Sequence, residues 1–166
     1  MTDANIERAT IDENVLRQLQ SEKERTGLGP NRILRYMRSR GLMPEGSGLK
    51  VAQMESWITG LAKSAPKADV DAIFATYEGI VPLSEMTSTP EDNQLVAICE
   101  DLADELQSVL QARRNSCRRI ILNRPETPKG LTTYRLGRLA AGVDKTILAS
   151  HLRHIRKTTR GLAKTR

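Results

Sequence analysis

Apolar side chains recur at spacings of three and four residues along most of the chain, which is the period of a helix that buries one face. In the first half, this pattern predicts four helices that begin near Asp12, Pro30, Leu49 and Pro66. Aspartate and proline are residue types that favour the first positions of a helix. Because no segment alternates apolar and polar residues over the length of a strand, the pattern predicts an all-α fold.

A longer helix is predicted in the second half, over residues 90–121. Thr89-Pro90-Glu91-Asp92 offers a capping hydroxyl, a proline for the first helical position and acids near the positive end of the helix dipole. Apolar side chains then form one stripe over residues 95–110. A helix of this length favours self-association, so a homodimer is expected.

Two further helices are predicted after a loop at residues 123–130. The first covers residues 132–141, with Tyr134, Leu136 and Leu139 facing inward, and the second covers residues 144–158, with Asp144 as its cap. The predicted organisation is two helix-turn-helix modules joined by a long central helix. It comprises a four-helix module at residues 1–80, a linker at 81–89, and the long helix with a basic module at 90–166.

Charge is distributed unevenly along the chain. Residues 1–80 carry 11 basic and 11 acidic side chains, residues 81–112 carry seven acids and no base, and residues 113–166 carry 15 bases and two acids. The net charge of +13 over this last segment attracts polyanions, of which nucleic acid is the commonest. A solvated tail and a docking surface for the acidic segment of the same chain are the alternatives.

Composition excludes several other classes. Aromatic residues make up only 3% of the chain, too few for a platform that stacks single-stranded bases. Apolar runs are shorter than the ~18 residues that cross a bilayer, and the N-terminus has no signal-peptide pattern. Cys99 and Cys117 would lie about 27 Å apart on one helix, so no disulfide is expected between them. A cytoplasmic protein without a membrane partner is therefore expected.

A family resemblance is carried by two stretches. The C-terminal stretch reads Leu131-Thr132-Thr133-Tyr134-Arg135-Leu136, then Ala140-Ala141-Gly142-Val143, then a polar helix start at Asp144-Lys145. It resembles the lambda-repressor and Cro-like helix-turn-helix family. Residues 53–60 are similar to the end of the recognition helix in that family, and Gly27-Leu28 can be laid over Gly130-Leu131 with Ile33 on Leu136. The resemblance implies a DNA-binding module, present in two copies.

The resemblance implies that residues 144–158 form the recognition helix of the C-terminal module, whose outward side chains contact bases. The candidates for base contact are Lys145, Thr146, Ser150 and Arg153. Arg153 suits guanine because of its fork of donors. Those for phosphate contact are Arg156, Lys157 and Arg160.

The corresponding outward residues of the N-terminal module are Lys50, Gln53 and Ser56, with Arg32 and Arg35 on the preceding helix. Gln53 suits adenine, because its amide pairs a donor with an acceptor. Since residues 1–80 carry no net charge, binding to a second regulatory protein is a competing role for this module.

Neither catalysis nor a bound metal or cofactor is expected. His151 and His154 share a helix face, but no cysteine or carboxylate nearby in the sequence completes a ligand set. No nucleophile motif, phosphate loop or pair of acids is found either. The predicted function is a bacterial or phage-type transcriptional regulator that binds double-stranded DNA sequence-specifically as a dimer. A protein-interaction adaptor or anti-activator, and an architectural or recombination accessory protein, are the alternatives.

Overall fold

The chain divides into two units, Met1–Ile80 and Val81–Arg166, each with its own buried core. The structure is a computed structural model and describes residues 5–111, 119 and 121–160. Over these residues it contains seven helices and two small antiparallel sheets of two strands each. Each unit contains one of these sheets.

The first unit has four helices and one sheet. Its elements, in order, are β1 (Arg8–Thr10), α1 (Glu13–Thr26), α2 (Pro30–Arg40), α3 (Val51–Ile58), β2 (Ser64–Pro66) and α4 (Lys67–Glu78). The strands pair in antiparallel register, with Ala9 opposite Ala65. The predicted start of α1 is confirmed, because the Oδ1 atom of Asp12 accepts a hydrogen bond from the backbone N–H of Val15 at 2.8 Å. Pro30 begins α2, also as predicted.

The second unit has the same kinds of element. They are a short 3-10 helix (Leu83–Glu85), β3 (Leu95–Ala97), α5 (Glu100–Gln111), α6 (Thr133–Ala140), β4 (Thr146–Leu148) and α7 (Ala149–Thr159). Residues 119, 121 and 122 are also helical. The core includes Val96, Leu106, Leu136, Ile147 and Ile155. Leu83 and Met86, from the segment predicted to be a linker, pack against this core.

The prediction of an all-α fold is wrong, because each unit contains a sheet. Each strand has only three residues, which is too short for an alternating pattern to be recognised. Each strand also pairs with a segment about fifty residues away, so no hairpin turn marks it in the sequence. Thr146, expected at the start of a recognition helix, lies in β4 instead.

The prediction of one helix over residues 90–121 is also wrong. Glu91 and Gln94 belong to a turn, Leu95 begins β3, and α5 begins only at Glu100. The residues 112–118 and 120 of the predicted helix lie outside the described residues. Leu102, Leu106 and Leu110 of the apolar stripe are buried in the core of their own unit, so they are not a surface for self-association. The homodimer stays a prediction, but without the stripe that motivated it.

The two units repeat the same arrangement in the same order. Arg8 corresponds to Leu95 and Glu13 to Glu100, an offset of 87 residues, whereas Val51 corresponds to Thr133 and Lys67 to Ala149, an offset of 82. Identical residues occupy many of the equivalent positions. They are Leu19-Gln20-Ser21 with Leu106-Gln107-Ser108, Gly48-Leu49 with Gly130-Leu131, Gly60 with Gly142, Lys63 with Lys145, Ile73 with Ile155, and Thr76 with Thr158.

Backbone hydrogen bonds confirm this equivalence. The N–H of Ile11 donates to the carbonyl of Lys63 at 2.9 Å, and the N–H of Ile98 donates to that of Lys145 at 2.9 Å. Likewise, Lys67 donates to Glu7 at 2.8 Å and Ala149 donates to Gln94 at 2.9 Å. The overlay of Gly27-Leu28 on Gly130-Leu131 is therefore wrong, since the structural equivalent of Gly130 is Gly48.

The equivalent glycines Gly60 and Gly142 adopt positive φ angles of 77° and 70°, a conformation that disfavours residues with a Cβ atom. We expect Gly142→Ala to lower the free energy of unfolding of the second unit by about 1–2 kcal/mol. A matched control is Gly137→Ala in α6, where φ is not positive and an added Cβ lies more than 4 Å from every atom of the described residues apart from its chain neighbours and the nearby backbone of its own helix. That change should stabilise by roughly 0.5–1 kcal/mol. Urea unfolding followed by circular dichroism measures the free energy of unfolding of both variants. Changes of the same sign would contradict the role given to the positive φ angle at Gly142.

Candidate functional site

The helices α3 and α6 are equivalent, and each is held on its core by apolar side chains. In α3, Met54, Trp57 and Ile58 are buried; in α6, Leu136 and Leu139 are buried. Trp57 is 4% exposed and belongs to the core of the first unit. The remaining side chains of both helices are exposed or half-buried and mostly polar. Each unit thus presents one eight-residue helix with its polar face outward.

The helix predicted to be the recognition helix, at residues 144–158, is placed differently. Only Ala149–Thr159 is helical, and most of it is buried, including His151, Leu152, His154 and Ile155. Thr146 is 3% exposed and cannot reach a ligand. Lys145, Arg153, Lys157 and Arg160 are exposed, and Ser150 and Arg156 are half-buried. The helix α7 is therefore a core helix with one exposed basic stripe.

Two arginines of this stripe are paired with acids of the same unit. Arg153 pairs with Asp92, and Arg156 donates two hydrogen bonds to Glu105, at 2.9 and 2.8 Å. The bonds to Glu105 raise the pKa of Arg156, which stays charged. Acids of residues 81–112 therefore neutralise part of the basic segment at residues 113–166. This agrees with the alternative in which the basic segment is a docking surface for the acidic one.

The candidates in the first unit lie on α2 and α3, except Lys50, which is the N-cap residue of α3. Arg32, Arg35, Lys50 and Gln53 are exposed, and Ser56 is half-buried. The Oε1 atom of Gln53 accepts a hydrogen bond from the backbone N–H of Lys50 at 2.9 Å. The side chain therefore helps to cap α3, and one of its acceptor positions is already in use.

A charged cluster on α6 was missed at the sequence level. Its centre is Asp144, whose side chain is 1% exposed. The Nε atom of Arg138 donates to Oδ1 of Asp144 at 2.7 Å, and a nitrogen of Arg135 lies 3.7 Å from Oδ2. Tyr134, expected to face inward, is 73% exposed, and the guanidinium of Arg138 lies 5.9 Å from the centre of its ring. Asp144 thus holds two cations on the outward side of α6.

The first unit has no equivalent of this cluster. An offset of 82 residues places Tyr134 on Ala52, Arg135 on Gln53, Arg138 on Ser56 and Asp144 on Ala62. Tyr134, Arg135 and Arg138, like their equivalents in α3, lie on the outward face of the helix. The two surfaces are therefore equivalent in position but different in chemistry.

The two histidines are structural groups of α7. Nε2 of His151 contacts the carbonyl of Lys129 at 3.2 Å, and Nε2 of His154 contacts the carbonyl of Ile121 at 2.7 Å. Because a carbonyl can only accept, Nε2 must carry the proton in both rings. The histidines thus tie α7 to the segment 121–129. Among the described residues, no group of three potential ligands could hold a metal ion.

Stability should depend on pH through His151. Burial lowers its pKa from the ordinary value of 6.5; the bond to Lys129 opposes this shift, and the charges of Arg135 and His154 add to it. Since the folded state favours the neutral ring, the unfolded chain binds more protons below pH 6.5. The second unit should lose stability as the pH falls from 6.5 towards the lower pKa of the folded state.

Urea midpoints from circular dichroism between pH 7.5 and 5 test this expectation. The variant His151→Gln, which cannot titrate there, should show a smaller loss than the wild type. Equal losses in the two proteins would contradict the assignment to His151. Trp57 fluorescence gives an internal control, because both histidines lie in the second unit and the only tryptophan lies in the first.

Comparisons of the chain with protein-family models, curated proteins and solved structures found no match. Within the described part of the chain, no helix combines the length and apolar character needed to cross a membrane. The function must therefore be inferred from the arrangement of the protein's own residues.

Proposed function

We propose that this protein binds double-stranded DNA sequence-specifically and acts as a transcriptional regulator, presenting α3 and α6 to the duplex. The observation that carries the proposal is the repeat itself. It places one short helix in each unit with its apolar side on the core and its polar side in solvent.

The dimensions of these helices suit the major groove. An α-helix with its side chains is about 10–12 Å in diameter, which matches the major-groove width of about 12 Å, and each of these helices has eight residues. Side chains near the N-terminal end of such a helix meet base edges. In the two units these side chains include Gln53 and Arg135.

Cations beside the two helices supply contacts to phosphates. In the first unit, Arg35 is exposed on α2, the helix that packs against α3. In the second unit, Lys129 and Lys145 are exposed in the loops that flank α6. Contacts of this kind provide affinity and position the protein but do not select sequence.

Fluorescence anisotropy with a labelled duplex from 50 to 200 mM salt tests the proposal. Log affinity should fall linearly with log salt, and Arg35→Ala should reduce the slope by about 0.9, the contribution of one phosphate contact. The control Arg17→Ala removes the same charge from the exposed surface of α1 and should leave the slope unchanged. Absence of duplex affinity at 50 mM salt would overturn the proposal. Equal affinity for all duplexes would favour the architectural or recombination role.

One observation favours a protein-interaction adaptor as the second candidate. Leu61 and Val143 occupy equivalent positions after the positive-φ glycines, and both are exposed, at 81% and 51%. Exposed apolar side chains at the same place in both units suit a protein partner better than they suit phosphates. The double variant Leu61→Ser/Val143→Ser separates the two functions. If the protein is a DNA-binding regulator, the double variant should keep the duplex affinity of the wild type. If it is an adaptor that does not bind duplexes, the double variant should lose the complex with its protein partner.

A further inference from the structure

We infer that the second unit contacts guanine through Arg135 and that Asp144 positions this arginine. The inference rests on the proposed function and adds the base and the residues that select it. It moves the guanine contact from Arg153, predicted from the sequence, to a different helix.

The geometry around Asp144 gives its two neighbours different roles. A carboxylate that is 1% exposed requires positive partners, since an unpaired buried charge is costly. Arg138 meets this need with a direct hydrogen bond of 2.7 Å. Arg135 lies 3.7 Å away, beyond hydrogen-bond distance, and no described residue donates a hydrogen bond to Oδ2 of Asp144. The carboxylate therefore attracts Arg135 without occupying its N–H donors.

The position of Arg135 is that of a base-contacting residue. It is the third residue of α6, as Gln53 is the third residue of α3. Its side chain is 38% exposed, so part of the guanidinium reaches solvent. A guanidinium can donate two parallel hydrogen bonds, and guanine presents two acceptors, O6 and N7, in the major groove.

The carboxylate also favours a base over a phosphate. A negative charge 3.7 Å from Arg135 weakens its attraction for another anion, but it leaves the direction of the N–H donors unchanged. Guanine is neutral and is not repelled. In the first unit, Ala62 stands at the position of Asp144, so the equivalent carboxylate is missing there.

Arg153 is less suited to this contact. It lies on α7, which is mostly buried, and it pairs with Asp92, whose side chain is 84% exposed. A contact with a base would have to compete with this ion pair. Arg135 is also beside an acid, Asp144, but at 3.7 Å its donors are not hydrogen-bonded to that carboxylate and remain available to a base.

The experiment uses the full chain and a duplex selected from a random pool. Each guanine of this duplex is replaced in turn by 7-deazaguanine, which lacks the N7 acceptor but keeps its base pairing. The wild type should lose about 5- to 150-fold in affinity at one guanine. The variant Arg135→Ala should be insensitive there, whereas Gln53→Ala, the equivalent change in the first unit, should keep the sensitivity.

The role of Asp144 is tested by Asp144→Asn, which removes the charge at nearly constant volume. The loss at the same guanine should shrink, and Asp144→Asn should have no further effect in the Arg135→Ala background. Circular dichroism checks the fold. If Asp144→Asn does not fold, Arg138→Gln, which also breaks the cluster but leaves the carboxylate beside Arg135, should retain the sensitivity to 7-deazaguanine.

Failure of the inference differs from failure of the proposed function. A protein without affinity for any duplex overturns both. If duplexes bind but no guanine is sensitive, only the inference falls. It falls too if Arg135→Ala weakens all duplexes equally and flattens the salt dependence, because Arg135 then contacts phosphate. A full effect of Asp144→Asn in the Arg135→Ala background would overturn the positioning role.

Discussion

Replacing Leu106 by alanine is expected to lower the free energy of unfolding of the second unit by about 2–5 kcal/mol. Leu106 is 2% exposed and lies in the core with Leu102 and Leu136. The change removes buried methyl groups and leaves a cavity that the surrounding helices fill only in part. Leu19 is the equivalent residue of α1, and at 1% exposure its replacement should destabilise the first unit by a similar amount.

The two units can be observed separately in one experiment. Trp57, the only tryptophan, lies in the first unit, so its fluorescence during urea unfolding reports that unit. Leu19→Ala should shift the fluorescence midpoint, whereas Leu106→Ala should shift only the second component of the circular dichroism signal. Leu61→Ala is the control, because an 81% exposed leucine contributes little to stability. A fluorescence shift caused by Leu106→Ala would show that the units unfold as one.

The variant Arg135→Ala is expected to lose about 5- to 150-fold in affinity for the selected duplex, since a bidentate arginine contact is worth about 1–3 kcal/mol. The matched control is Arg153→Ala, which removes the same charge from α7. Its effect should be smaller, because Arg153 already pairs with Asp92. Anisotropy titrations at constant salt compare the two variants. A larger loss in the control would return the contact surface to α7.

The helices of the first unit could be predicted from the sequence because their signals are local. Asp12, Pro30 and Gly41 act on residues next to them in the chain, and the apolar spacing shows which face is buried. The strands could not be predicted in this way. Residues such as Val96 and Ile147 pair only after the chain has folded, and three residues carry too little periodicity to reveal this.

The candidate site could be predicted only in part, and for a similar reason. Uneven charge draws attention to the second half of the chain, but charge does not show which cations are paired. Arg153 was favoured as a strong donor, although the folded chain brings Asp92 beside it. The cluster of Arg135 and Arg138 was not predicted, because the sequence does not show that Asp144, in the loop after α6, lies beside both arginines.

Hydroxyl-radical footprinting of the full chain on the selected duplex tests the central claim, that each unit contributes a helix to DNA binding. The wild type should protect two groups of nucleotides. Arg135→Ala should weaken protection in one group, and Arg35→Ala, beside α3, should weaken it in the other. Protection of a single group that is unaffected by Arg35→Ala, or no protection at any protein concentration, would contradict the claim.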